Sequence, residues 1–335
     1  MNGKFKKITS FILAAALCLG ISGCGAQKNH YGAQDYVLET EYKDDFKILQ
    51  LSDIHMANKD NRRIHYDFMD LTIKDADPDM LVACGDLFTF ADKTVAKELF
   101  AYLDSWGIPW TVAFGNHDEQ CYFSIDWMTG YLNNYGSNCL FKDIQDDDVF
   151  GNSNFAIDLM QDGRVKQQII IMDSNRYNYG EYWGYDYMKQ DQIDWYEDVI
   201  NYTAEQNGGA AVPSMLFCHI PVPEYQTAYD LAMAGSSEAV LEYGEFNEDC
   251  SCPKYNSGFF DKMVELGSCK AMMAAHDHVN NARLLYKGIY LCYGVTSTDR
   301  IYYQDGMLGG LVITVHPDDS LGFDYIYHDY KELEK

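Results

Sequence analysis

Phe46-Lys47-Ile48-Leu49-Gln50-Leu51-Ser52-Asp53-Ile54-His55 opens the stretch that decides the fold. Phe46–Leu51 is a short apolar run that stops at Ser52-Asp53. Ile64, Phe68, Leu71 and Ile73 then follow at helical spacing across Ile64–Lys74. Met80–Cys84 is a second short run and ends in Gly85-Asp86. Val95–Trp106 reads helical again through Leu99, Tyr102 and Leu103. Trp110–Phe114 is a third run, ending in Gly115-Asn116-His117-Asp118. Strand-length apolar runs thus alternate with longer amphipathic stretches. This β-α-β-α-β order predicts an α/β fold in which helices cover a sheet.

Further along, Asn154–Leu159 and Gln168–Asp173 read as strands, and Asp191–Thr203 as a helix through Ile193, Trp195, Tyr196, Val199 and Ile200. Met215–His219 is a strand broken by Ile220-Pro221-Val222-Pro223. Phe259–Leu266 looks helical, and Lys270–Ala275 is a strand ending at His276-Asp277-His278. Asn281–Tyr286, Gly288–Tyr293, Gly310–Val315 and Phe323–His328 alternate as antiparallel strands do. No repeat and no linker interrupts the chain after residue 45, so residues 46–335 are expected to form one domain.

The 335 residues carry 25 Lys+Arg against 51 Asp+Glu, a formal charge of −26. Such acidity excludes a nucleic-acid binder that works through a basic stripe. With 47% apolar and 15% aromatic residues the chain is also no disordered segment. The N-terminus stands apart. Lys4, Lys6 and Lys7 precede an apolar run from Ile8 to Leu19, too short to span a bilayer as a stable helix. The run ends in Ile21-Ser22-Gly23-Cys24, which resembles the lipobox of bacterial lipoproteins. That resemblance implies a signal peptide over residues 1–23, lipidation of Cys24, a polar flexible tether over residues 24–45, and a protein anchored by lipid at the extracytoplasmic face of a bacterial cell membrane.

Five strand-like runs end in metal-ligating types of residue: Asp53-Ile54-His55, Gly85-Asp86, Gly115-Asn116-His117-Asp118, His219 and His276-Asp277-His278. Strand ends are where ligand sites assemble in α/β sheets. One His after a strand is more often a surface or core residue than a ligand. Here five of the chain's nine His occupy such ends, with Asp53, Asp86 and Asn116 beside them. Imidazole and carboxylate suit Zn, Fe and Mn, and a carboxylate can bridge two cations. The set is large enough for two ions about 3.5–4 Å apart, the arrangement of two-metal hydrolysis.

In order and spacing these motifs resemble those of the calcineurin-like metallophosphoesterases, D-x-H, GD, GNH[DE], H and GHxH, over residues 47 to about 300. The resemblance implies a four-layer α/β/β/α sandwich of two mixed sheets, with a dinuclear metal site at the strand C-terminal ends. It implies that Asp53, His55, Asp86 and His278 hold one metal and Asp86, Asn116, His219 and His276 the other, Asp86 bridging. His117 would stand at the leaving group as general acid or hydrogen-bond donor, and Asp118 would orient and charge it. A hydroxide shared by two divalent or trivalent ions (Mn, Zn or Fe) would attack phosphorus in line. The implied partner is a small-molecule or phosphoprotein phosphate ester, with nucleic acid disfavoured and the membrane met only through the lipid. A phosphodiesterase or 5′-nucleotidase would use the same site, and so would a surface lipoprotein that binds metal or a phosphorylated ligand without turnover.

Two departures qualify the match. Ala275 replaces the Gly of the last motif, which would be strained if the position needed a positive φ. Thr89 stands where the purple acid phosphatase branch carries a metal-binding Tyr, which disfavours a tyrosinate-bound iron. Even so, Trp183-Gly184-Tyr185, Gln192-Ile193-Asp194-Trp195 and His219-Ile220-Pro221-Val222-Pro223 are similar to purple-acid-phosphatase-like enzymes of bacteria and fungi, which points towards monoesters. The many Tyr between Asn175 and Tyr187 could rim a site for an organic leaving group, although loop packing is the ordinary expectation. His65 is expected to be solvated. Cys84, Cys218 and Cys292 read as small buried hydrophobes, while Cys250 and Cys252 lie in a polar loop whose pairing spacing alone does not determine.

Overall fold

The protein, seen here as a computed structural model, is described over residues 31–59, 62–144 and 148–329. The expected signal peptide over residues 1–23 and the expected lipidation at Cys24 fall outside the described residues.

In chain order the strands are β1 (Val37–Glu41), β2 (Phe46–Leu51), β3 (Met80–Cys84), β4 (Trp110–Ala113), β5 (Phe155–Gln161), β6 (Arg164–Ile171), β7 (Tyr177–Asn178), β8 (Gly184–Tyr185), β9 (Ser214–Phe217), β10 (Ala239–Tyr243), β11 (Cys269–Ala274), β12 (Arg283–Tyr286), β13 (Ile289–Tyr293), β14 (Leu308–Val315) and β15 (Leu321–His328). The helices are α1 (Arg62–Ala76), α2 (Lys93–Asp104), α3 (Ile125–Leu132), α4 (Gln190–Gln206), α5 (Glu224–Met233) and α6 (Phe259–Leu266).

Five strands form one sheet in the order β15-β14-β2-β3-β4, and eight form the other in the order β1-β5-β6-β9-β11-β13-β12-β10. Both are mixed. In the small sheet β2, β3 and β4 are parallel while β14 runs against β2. In the large sheet β6, β9, β11 and β13 are parallel while β12 runs against β13.

Period-2 alternation sorts the side chains of the large sheet between two cores. Ile169, Ile171, Met215, Phe217, Ala271 and Met273 join the small sheet's Ile48, Leu49, Val82 and Val112 in one apolar cluster. Their neighbours Ile170, Leu216 and Met272 pack with Trp195, Tyr196 and Val199 of α4 and Phe260 of α6 in the second. Helix Met69, Ile73, Leu99 and Phe100 cover the other face of the small sheet. The four-layer α/β/β/α order with two mixed sheets therefore holds.

The expected tether does not extend to residue 45. Ala33–Tyr36 form a 3₁₀ turn and β1 pairs in parallel with β5. Ala33 and Tyr36 are buried, and the Tyr36 ring meets Trp195 edge-on at 5.6 Å. β1 is an edge strand with no fully buried side chain, so its polar sequence carries little strand signal. Helices α3 and α5 and strand β10 also lie outside the expected pattern. Ser124 caps α3 by accepting from the Trp127 N–H at 3.2 Å. Pro223 stands at the N-cap of α5, where its fixed φ suits a helix start.

Candidate metal centre

The C-terminal ends of β2, β3 and β4 in one sheet and of β9 and β11 in the other converge. Asp53 and His55 follow β2, Asp86 follows β3, Asn116 and His117 follow β4, His219 follows β9, and His276 and His278 follow β11. The two sheets are tied at this point. Ser52 pairs with Thr296 as an isolated bridge, and Asp53 Oδ2 accepts from the His276 N–H at 3.3 Å.

The chain turns sharply to deliver these side chains. Asp53, His55, Asp86 and His276 all hold positive φ, at 51°, 50°, 48° and 76°. Non-glycine residues pay strain for this conformation, and such residues cluster at functional sites. Gly85 (φ 79°) and Gly115 are required for a second reason. A Cβ on Gly85 would lie 2.4 Å from the His219 ring, and one on Gly115 would lie 2.3 Å from the Asp86 N–H nitrogen. Ala275 is fully buried and is not among the positive-φ residues; His276 takes that conformation instead. The replacement of Gly at 275 is therefore unstrained.

Two groups of buried ligands result: Asp53, His55 and His278, and Asp86, His219 and His276. In the first, His55 Nε2 and His278 Nε2 face each other at 3.2 Å, and His278 Nε2 lies 3.3 Å from Asp53 Oδ1. In the second, His219 Nε2 lies 3.2 Å from Asp86 Oδ2 and 3.3 Å from His276 Nδ1. Asp86 Oδ2 is also 3.7 Å from His55 Nε2, between the two groups, as a bridging ligand must be.

Two atoms test whether metals fit. Asn116 Oδ1 and His276 Nε2 are buried and have no hydrogen-bond partner. A buried lone pair left unmatched costs about 1–3 kcal/mol, and a cation is the partner that oxygen and nitrogen donors of this kind take. The far sides of the ligands are secured. His278 Nδ1–H donates to the Tyr302 carbonyl at 2.7 Å and His219 Nδ1–H to the Cys84 carbonyl at 3.2 Å, which turns each Nε2 lone pair inward. Thr89 Oγ1 lies 2.7 Å from His55 Nδ1. Thr89 therefore backs His55. Asn116 Nδ2 donates to Tyr177 Oη at 3.1 Å, leaving its Oδ1 for the pocket.

Burial disfavours charge on both Asp53 and Asp86, yet adjoining imidazoles hold both carboxyls low, Asp53 at about 2. Burial would also lower His219, but the Asp86 carboxylate raises it to about 10. His278 is likewise raised against its burial, by Asp53. Burial pushes His55 down to about 4 and His276 to about 3.

His117 is not in either ligand group. Its ring stands edge-on to His55 at 5.1 Å, its Nε2 is 4.0 Å from Asp86 Oδ2, and its side chain is 28% exposed, so an entering molecule can touch it. The expectation that Asp118 orients His117 is not met. The Asp118 carboxylate is wholly buried and accepts from the Gly115 N–H at 2.8 Å and the Phe88 N–H at 3.0 Å. It clamps the β4 turn onto the β3 turn. The partner of His117 Nδ1 is Gln120 Oε1 at 2.8 Å, because the 3₁₀ turn Asp118–Gln120 swings that side chain back over the ring.

His65 is buried, 3.4 Å from Asp299 Oδ1, and not solvated. Cys84, Cys218 and Cys292 are buried, and the eight described cysteines are free thiols. Tyrosines in the Asn175–Tyr187 segment do more than pack the loop. Besides Tyr177 on Asn116, the Tyr185 ring meets His276 edge-on at 4.5 Å. Tyr302, outside every motif, stacks its ring on His278 at 4.2 Å.

Comparison with known proteins agrees with this geometry. The calcineurin-like phosphoesterase family matches residues 46–280. The chain is 28% identical over 324 residues to a protein of Arabidopsis thaliana named probable inactive purple acid phosphatase 29, covering 87% of this chain and 79% of that one. It is 26% identical over 280 residues to phosphatase DCR2 of Saccharomyces cerevisiae, covering 74% of this chain and 47% of that one. A dimetal phosphatase from Danio rerio shares the fold, with a TM-score of 0.56 at 12% identity over 86% of this chain and all of that one. Matched through the turns that bear Asp53, Asp86, Asn116, His219 and His276, the chain belongs to the calcineurin-like phosphoesterases.

Proposed function

We propose that this protein is a two-metal phosphoesterase that hydrolyses phosphate monoesters. The observation that carries this reading is one pocket holding two ligand groups with Asp86 between them, the buried Asn116 Oδ1 left without a hydrogen-bond partner, and a non-ligand histidine, His117, at its exposed side. Two cations held there would supply Lewis-acid charge and an activated water, and since only Asp53 and Asp86 among the ligands are anionic, the pocket would be net positive in a chain of −26.

The chain's own residues do the rest. The backbone N–H of His117 donates to Asp86 Oδ1 at 2.7 Å and fixes the bridging carboxylate. Gln120 accepts from His117 Nδ1–H, so Nε2 is the nitrogen that faces the ester. When protonated, His117 donates from Nε2 to the ester oxygen as it leaves. Asp118 keeps the two turns in register. Zn, Mn and Fe all suit the donor set. The lipid anchor at Cys24 and an extracytoplasmic location complete the proposal.

The names of the yeast and plant relatives point in different directions, one a phosphatase and the other probable inactive. The second favours a reading in which the site binds metal and a phosphorylated ligand without turnover. Assaying p-nitrophenyl phosphate beside bis-p-nitrophenyl phosphate after loading with Mn, Zn or Fe separates these. The monoester should be hydrolysed faster. Faster diester hydrolysis would reassign the reaction, and turnover of neither would favour the binding protein.

A further inference from the structure

Aromatic rings begin at the metal ligands themselves. Tyr185 contacts His276 edge-on at 4.5 Å, and Tyr302 lies flat on His278 at 4.2 Å with an interplanar angle of 3°. They flank the pocket from its two ligand groups, since His278 belongs to one and His276 to the other. Tyr177 stacks on Tyr185 at 5.6 Å and meets Asn116 through its hydroxyl. β7 and β8 pair as a small hairpin, whose connecting loop carries Tyr179 and Trp183, exposed by 79% and 64%. Tyr302 is 41% exposed. Large rings with open faces continue from the ligands outward.

We infer that these tyrosines form a wall for the leaving group, and that the site selects phosphate monoesters whose ester oxygen is carried by an aromatic ring. This rests on the phosphoesterase reading and names its substrate class. The wall starts within one ring contact of the ligands, so the first group beyond the ester oxygen meets aromatic surface. An aryl group can take the edge-to-face and offset geometries that rings prefer at centroid distances of about 4.5–7 Å. A nucleotide would place its sugar at this position and its base further out. A second anionic group on the substrate is poorly received, because nearby cations are engaged: Arg176 is ion-paired with Glu119, and Lys254 lies over the Trp183 ring at 5.6 Å. Tyr302 Oη itself donates to Glu248 at 2.8 Å.

The test uses the full metal-loaded chain and two non-hydrolysable probes, phenylphosphonate and methylphosphonate, titrated by calorimetry. Phenylphosphonate should bind at least about tenfold tighter. The ratio should approach one in a Tyr185→Ala, Tyr302→Ala variant and persist in the Tyr185→Phe, Tyr302→Phe counterpart. A ratio near one in the unmodified protein, or one unmoved by the Ala pair, would overturn the inference. So would an equal loss of both probes in the Ala pair, since the rings would then serve the metals and not the ligand. If p-nitrophenyl phosphate is not turned over while the binding ratio is intact, the hydrolytic reading fails and the aryl preference stands.

Discussion

The two sheets contribute different things to one pocket. The small sheet supplies Asp53, His55, Asp86, Asn116 and His117 from three tight turns, two of them built around glycines that leave no room for a Cβ. The large sheet supplies His219, His276 and His278, and with them the looser segments that carry Tyr177, Tyr185 and Tyr302. Both carboxylates come from the small sheet, and the two imidazoles whose pKa values they raise come from the large one. The difference teaches that the candidate ligands of the small sheet sit on short turns, three of them at positive φ, while the rings beside the pocket are carried by longer connecting segments.

The strongest way to break this division is Asp86→Ala. Its carboxylate touches both ligand groups, so both metals should be lost and activity should fall by at least about a thousandfold. Metal analysis that still finds full occupancy would show that Asp86 does not bridge. Next in size is His117→Ala, which should lower kcat by about a hundredfold to a thousandfold with metal content unchanged. Metal loss in that variant would make His117 a ligand.

A pH dependence sharpens the comparison across the sheets. His219 has its pKa raised to about 10 by the Asp86 carboxylate, so it holds a proton in the neutral range that a metal must displace, and His278 is raised in the same direction by Asp53. Metal affinity should therefore rise with pH and fall on acidification, by about tenfold per pH unit for each proton released. Calorimetry in buffers of different ionisation enthalpy counts those protons, and a count of zero at neutral pH would contradict the assignment. The smallest effect expected is that of Tyr177→Phe. It removes the acceptor that orients Asn116 and should cost about tenfold in metal affinity or activity. A change confined to substrate affinity would place Tyr177 with the aromatic wall alone.

This asymmetry also explains what the sequence discloses. The turns of the small sheet are legible because Gly85-Asp86 and Gly115-Asn116-His117 are contiguous and each follows a clean apolar run. Tyr302 is not, since its contact with His278 joins residues 24 apart in sequence across β12 and β13, and Tyr302 itself lies in the irregular stretch before β14. Gln120 is hidden in the sequence for a local reason. Only the 3₁₀ turn after His117 brings the third residue back over the ring, and Asp118 is the nearer and more reactive-looking candidate. β1 carries no clear signal because an edge strand can be polar, and the burial of His65 carries none because its contact Asp299 is far away in sequence.

The most direct measurement takes metal content and turnover from one preparation of the protein. The account predicts two metal ions per chain and hydrolysis of p-nitrophenyl phosphate, both lost together in Asp86→Ala. Two bound ions with no hydrolysis of any mono- or diester would contradict it and make the pocket a binding site.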